Sequence, residues 1–157
     1  MMKIAVLSDT HGLLRPEVIE IIKTCDVVFH SGDIDTEDLF NQLSALAPLY
    51  IVRGNNDKEW ADQLPLTLRF QLDGIRFFMV HDKKDLPPDL SEIDVVIFGH
   101  SHQYKEERKN GLFYLNPGSC GKRRFRLDIT MAVLETNGSE FQVKRISLIT
   151  ASDKIIP

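Results

Sequence analysis

KIAVLSDTHG, residues 3–12, is the stretch whose reading decides the fold. Its first half, residues 3–7, is a continuous apolar run, the pattern of a strand buried on both faces. SDTHG then breaks the strand with turn-forming residues that also bring an acid and an imidazole, Asp9 and His11. The same order recurs downstream. Residues 26–29 read as a second short strand that breaks at HSGD, and residues 49–52 as a third that breaks at RGNND. Between them, Pro16 stands at a first helical position before Val18, Ile21 and Ile22, and Thr36 with Asp38 caps a helix carrying Leu39, Phe40, Leu43 and Leu46. This β-α-β-α-β rhythm predicts a parallel sheet with helix cover.

The second half changes character. Residues 66–72 alternate, Asp73-Gly74 makes a hairpin turn, and residues 75–80 run into His81. Residues 94–98 form another apolar strand that ends in GHSH. Asn110-Gly111 and Asn137-Gly138 mark two more hairpins, so the C-terminal third is expected to be mostly antiparallel. No linker, repeat or low-complexity stretch divides the 157 residues, which read as one domain over 1–157: two packed sheets with helices outside them.

Composition narrows the function classes. A net charge of -4 argues against binding long nucleic acid, which needs a basic face. No apolar stretch has the length of a membrane span, and the first residues lack the long apolar core of a signal peptide. Cys25 and Cys120 sit in no CxxC pair and read as reduced thiols, so a cytoplasmic location is expected. The apolar strand around residues 146–149 is a sheet edge open to pairing with a second copy.

Ligands of open α/β sheets bind at the loops that leave the carboxyl ends of strands. Here those loops hold Asp9 and His11, then Asp33, then Asn55 and Asp57, then His81, then His100 and His102. Carboxylate, imidazole and amide oxygen suit two divalent ions such as Mn, Fe, Co, Ni or Zn. One carboxylate must lie between two cations so close together, and Asp33, in the middle of the set, is the candidate. Each piece alone has an ordinary explanation: a DxH by chance, a GD or GNND turn, a buried histidine with a backbone partner. All of them following strands, and taking four of the five histidines, is poorly explained by coincidence.

At these residues the chain resembles the calcineurin-like metallophosphoesterase superfamily. Its pattern is DxH, GD, GNH followed by an acid, a lone His, then GHxH. The chain is more similar to the short prokaryotic phosphodiesterase branch (the YfcE type), which NPGS at residues 116–119 also resembles. The likeness runs from Lys3 to about Leu148. It implies an α/β fold, a four-layer αββα sandwich with two packed mixed β-sheets. It also implies a dinuclear centre in which a bridging hydroxide attacks a phosphoester, with manganese the foremost metal. By resemblance, Asp9, His11, Asp33 and His102 hold one ion, Asp33, Asn55, His81 and His100 the other, and Asp57 is an outer acid that orients Asn55 or a neighbouring group.

Two positions depart from the pattern. Asn56 stands where larger phosphatases have a histidine that helps protonate the leaving group, and an amide is no general acid near neutral pH. It can still hydrogen-bond a phosphate oxygen, so Asn56 and Asp57 are the candidate catalytic residues beside the ligands. Asp82 follows His81 where many relatives have glycine. The expected substrate is a small phosphodiester. A phosphomonoester or nucleotide substrate, and a catalytically weak scaffold on the same fold, are the alternatives. Lys122, Arg123, Arg124 and Arg126 are placed either to steer a phosphate or to lie on a solvated edge, as are Lys83 and Lys84. Arg53 is expected to point into the cleft or pair with an acid, His30 to be packed or to support a ligand from behind, and Trp60 and Phe125 to line a rim or core or else flank a base or aromatic leaving group.

Overall fold

The computed structural model describes residues 1–123 and 126–149, so Arg124 and Phe125 lie outside the described residues. Two five-stranded mixed sheets pack face to face. The first has the order β10-β9-β1-β2-β3, from β1 (Met2–Leu7), β2 (Val27–His30), β3 (Leu49–Ile51), β9 (Ile129–Asn137) and β10 (Glu140–Ile149). The second has the order β4-β5-β6-β8-β7, from β4 (Thr67–Leu72), β5 (Ile75–Val80), β6 (Val95–Ile97), β7 (Lys105–Lys109) and β8 (Leu112–Asn116). β1, β2 and β3 run parallel, as do β5, β6 and β8, and the antiparallel strands flank them.

Alternation along β1 explains why its sequence shows no polar face. Ile4 and Val6 point between the sheets, while Ala5 and Leu7 point to the helix layer, so both faces are buried. Between the sheets, Phe29 meets Tyr50, Phe70 and Phe77 edge-on at ring separations of 5.5, 5.2 and 5.0 Å. On the outer face of the first sheet lie α1 (Pro16–Ile22) and α2 (Glu37–Leu46), seated by Val18, Ile22, Leu39 and Leu43. Pro16 starts α1, and the Thr36 hydroxyl accepts from Leu39 N at 3.2 Å to cap α2, as the sequence predicts.

The outer face of the second sheet is covered differently. Among the described residues no α-helix lies there; segment 82–94, with one short 3-10 turn at Lys83–Asp85, brings Leu86, Leu90 and Ile93 over Phe78, Val80, Val96 and Phe98. Pro87-Pro88 accounts for this, since paired prolines remove donors and clash with helix geometry. The two-sheet α/β sandwich is therefore the architecture found, with its fourth layer made of loop.

Strand register sets where the loops emerge. Leu7 pairs with His30 and His30 with Ile51, so three parallel strands end side by side. The pairing continues past them: Asp9 N donates to Gly32 O (2.9 Å), His11 N to Asp33 O (3.0 Å) and Gly12 N to Ile34 O (2.8 Å). In the second sheet Gly99 N donates to His81 O at 2.9 Å and locks the ends of β5 and β6 together in the same way. Replacing Phe77 by alanine in the inter-sheet core is expected to cost about 3–5 kcal/mol, read from denaturant unfolding. A loss below about 1 kcal/mol would contradict this packing.

Candidate metal centre

Seven side chains from five loops stand at the common edge of the two sheets. Three groups of ligand atoms form among the described residues, each within 4.8 Å: Asp9–His11–His102 and Asp9–Asp33–His81, both buried and both with imidazoles, and the all-carboxylate Asp33–Asp35–Asp57. His11 Nε2 and His102 Nε2 are 3.1 Å apart, their rings stacked at 4.9 Å. Asp9 Oδ1 lies 3.8 Å from His11 Nε2, 3.5 Å from His102 Nε2 and 3.8 Å from His81 Nε2. Asp33 Oδ2 is 3.2 Å from His81 Nε2 and 3.9 Å from His11 Nε2, so it faces both imidazole groups. His100 joins the His81 side through Nδ1, 3.3 Å from His81 Nε2. Asn55 is exposed on the same side and donates its amide to Asn56 Oδ1 at 3.4 Å, leaving its own Oδ1 as the atom suited to a cation.

The backbone is bent to present these groups. Asp9, His11, Asp33, His100 and His102 all have φ between 47 and 76°, in the left-handed region that non-glycine residues rarely adopt. Glycines stand where the ligands crowd the chain. A Cβ on Gly99 would strike Ser8 Oγ and Asp9 Oδ2, and one on Gly54 would strike the Asp33 carboxylate.

Hydrogen bonds aim His11, His81, Asp9 and the Asp33 loop. Asp35 Oδ2 takes His11 Nδ1 at 3.0 Å and Ser31 O takes His81 Nδ1 at 2.9 Å, so in both rings Nε2 faces the centre. Ser8 Oγ and His100 N donate to Asp9 Oδ2 at 2.6 and 3.0 Å. Asp57 receives four backbone N–H groups, from Asp33, Ile34, Asp35 and Gly54, at 2.8–2.9 Å. Its carboxylate is thus turned to the backbone of the Asp33 loop rather than to Asn55, which makes it a positioning residue. The NPGS motif has a similar use. Asn116 Nδ2 holds Gly99 O (3.2 Å) and Ser101 Oγ (3.1 Å), and Ser119 Oγ holds Asp9 O (2.8 Å).

His30 is the packed histidine expected. Its Nδ1 accepts from Gly32 N and its Nε2–H donates to Thr10 Oγ1, both at 3.0 Å. Burial, with the neighbouring His81, drives its pKa down to about 3, so it is a neutral strut. Sequence reasoning missed Ser8, Ser31 and Asp35; only Asp35 left a signal, as a second acid in GDID, and it too has a left-handed φ, 77°.

Electrostatics agree with a cation site. Burial raises the Asp9 pKa, partly offset by His81, Ser8 and His102, and Asp9 Oδ1 is buried with no hydrogen bond. Burial also opposes ionisation of Asp33, but His81 and the Asn56 N–H hold its carboxyl below the usual range. For His81, burial is outweighed by the Asp33 contact, the Asp9 and Asp33 charges and Ser31 O, which lift its pKa to about 9. A buried carboxylate oxygen without a donor, amid imidazole nitrogens, is a donor set that a divalent ion completes.

A cleft of about 990 Å³ opens beside the His81 and His100 side, with Arg53, Asn55, Lys58, Leu66 and Asp82 in its wall. Arg53 both lines the cleft and pairs with Asp62 at 3.4 Å. Trp60 packs on Phe40, 5.9 Å between rings, and lies outside that lining. Lys83 stands over the Phe98 ring at 5.8 Å, and Arg126 lines a smaller groove on the His102 side with Tyr104 and Arg145.

Two mixed sheets whose shared edge carries a buried carboxylate–imidazole centre define a metallophosphoesterase. The chain belongs to the calcineurin-like phosphoesterase superfamily, whose domain description matches residues 2–139. It is 31% identical to the phosphodiesterase YfcE of Escherichia coli K12, over 76% of this chain and 79% of that protein. It is 28% identical to a phosphodiesterase of Methanocaldococcus jannaschii, over 90% and 97%. Among solved structures it is similar to an archaeal phosphodiesterase (TM-score 0.73, 25% identity, 92% and 100% covered). It shares its fold with a Vps29 variant from Entamoeba histolytica (TM-score 0.79, 23% identity, 96% and 95% covered).

Two outcomes follow from this geometry. Asp57→Ala leaves four backbone donors without their acceptor and is expected to cost about 3–5 kcal/mol by denaturant unfolding, with weaker metal binding because the Asp33 loop is released. Stability within about 0.5 kcal/mol of the parent would contradict the clamp. The second concerns pH. His81 is protonated in the metal-free fold up to about pH 9, above the unfolded value, so the stability this proton confers is full below about pH 6.5 and fades as pH rises through about 9. A metal ligated by His81 must displace that proton, so metal affinity should rise about tenfold per pH unit across this window and then level off. Metal titrations from pH 6 to 9.5 measure this, and a flat profile would exclude His81 as a ligand.

Proposed function

We propose that this chain is a phosphodiesterase acting on small phosphodiesters with two divalent ions, manganese foremost and Ni, Co, Fe or Zn as substitutes. Asp9, His11, Asp33 and His102 hold one ion; Asp33, Asn55, His81 and His100 hold the other. The observation that carries the reading is the position of Asp33 Oδ2, which faces His81 Nε2 on one side and His11 Nε2 on the other. When bound, such ions supply Lewis-acid charge to a phosphate oxygen and acidify water.

The chain's own residues favour diesters. Asn56 donates its backbone N–H to Asp33 Oδ1 at 2.8 Å and its amide to Asp33 Oδ2 at 3.4 Å, which seats the amide against the carboxylate at the middle of the proposed centre. It can hold a phosphate oxygen but gives no proton to a departing alkoxide, so a leaving group stable as an anion is preferred. The cleft wall sets Glu59, Asp62, Asp82 and Asp85 against Arg53 and Lys58. A diester monoanion is repelled less there than a monoester dianion. The cleft also has room for a second ester substituent beside His81 and His100.

The test strips the protein with chelator, restores one metal at a time, counts bound metal, and assays an aryl phosphodiester against the matching monoester. About two ions per chain and preferential return of diester cleavage are expected, with Asp33→Ala and His102→Ala each losing roughly a hundredfold or more. An efficient alkyl monoesterase with negligible diesterase activity would overturn the diester reading.

A further inference from the structure

The centre is not symmetric in how its imidazoles are held. His11 and His81 are buried and each has its outer nitrogen on a fixed acceptor, Asp35 Oδ2 or Ser31 O. His100 is different: its side chain is 46% exposed, so packing does not choose its ring orientation. Its Nδ1 looks toward His81 Nε2 at 3.3 Å, and its Nε2 looks away, toward Asp82 Oδ2 at 3.7 Å. Asp82 is the one carboxylate within 4.0 Å of that nitrogen among the described residues.

We propose that Asp82 is a positioning residue for the outer of the two metal sites, setting the ring orientation and tautomer of His100. The inference rests on the two-ion reading of the centre. When Nδ1 ligates a cation, the ring hydrogen resides on Nε2 and needs an acceptor. At 3.7 Å the contact is an ion-pair distance rather than a formed hydrogen bond, and a small turn of the exposed His100 ring closes it. Asp82 itself is well fixed. Its Oδ1 caps the Lys83–Asp85 turn by accepting Lys84 N at 3.0 Å, and its carbonyl takes Asp85 N at 2.9 Å. Lys83 over the Phe98 ring ties that turn to the end of β6, and Gly99 N on His81 O holds the two strand ends in register. Asp82 therefore does for His100 what Asp35 does for His11, but at the rim of the cleft instead of in its floor.

The experiment is a metal titration of the metal-free full-length protein with Co(II), followed by its visible absorption, and with Mn(II), followed by the free-ion magnetic resonance signal. Neither readout depends on turnover. Asp82→Asn keeps an oxygen for the Lys84 cap and removes the charge. It is expected to weaken the looser binding step about 10–100-fold and leave the tighter step unchanged, with Asp82→Glu restoring part of the loss. Asp35→Asn is expected to act on the tighter step instead. Unchanged titrations in both Asp82→Asn and Asp82→Ala would overturn the proposal. So would an equal loss in both steps accompanied by a lower thermal midpoint, which reports general damage. A wild-type chain that binds a single ion would remove the two-ion reading itself and this inference with it.

Discussion

Two carboxylates buried at the meeting edge of two sheets are the constraint around which this molecule is organised. Asp9 and Asp33 lie out of water, and a buried anion must be compensated by hydrogen bonds, by paired charge or by a metal. Hydrogen bonds satisfy only part of this set. Asp9 Oδ2 takes Ser8 Oγ and His100 N, while Asp9 Oδ1 takes none and faces imidazole nitrogens. The lifted pKa of His81 is the same demand answered by a proton. A divalent ion answers it better, because it serves several ligands at once.

The fold meets the cost of that arrangement with rigidity around it. Five of the candidate ligand residues sit in the left-handed region, each carrying strain of order 1–3 kcal/mol that persists only where the surroundings over-determine the conformation. Those surroundings are visible: the zipped backbones beyond β1 and β2, the four N–H groups on Asp57, the Asn116 bond to the neighbouring Gly99 turn of its own sheet, and the Ser119 bond across to the Asp9 turn of the other. Beneath them the Phe29–Phe70–Phe77 cluster keeps the two sheets in fixed relation. Ligands from separate sheets can then meet within hydrogen-bonding range, as His11 and His102 do.

Enclosure falls off across the centre. Asp9, His11 and His102 are buried, whereas His100 and Asn55 stand at the mouth of the cleft. The inner group is shaped by packing and the outer one by individual polar contacts, which is why an acid at position 82 matters there and would matter little in the floor. The same openness gives an ester substituent a place to lie beside the ligands.

The sequence by itself determined the local pieces. Apolar runs ending in turns, Pro16 and Thr36 at helix starts, and acids, amides and histidines in the loops are all set by chemistry a few residues long; both helices start where the pattern puts them, and Asp9, His11, Asp33, His81 and His102 come together. The family resemblance of the ordered motifs was legible for the same reason. What only the tertiary structure decided are the partnerships. Asp35 on His11, Ser31 O on His81, Asp57 under the Asp33 loop and Ser119 on Asp9 join residues 22 to 110 positions apart. The loop in place of the expected outer helix is, by contrast, a local matter, set by Pro87-Pro88. Periodicity and turn chemistry act along the chain, but a hydrogen bond between distant loops depends on the register and packing of whole sheets, which no short stretch of sequence encodes.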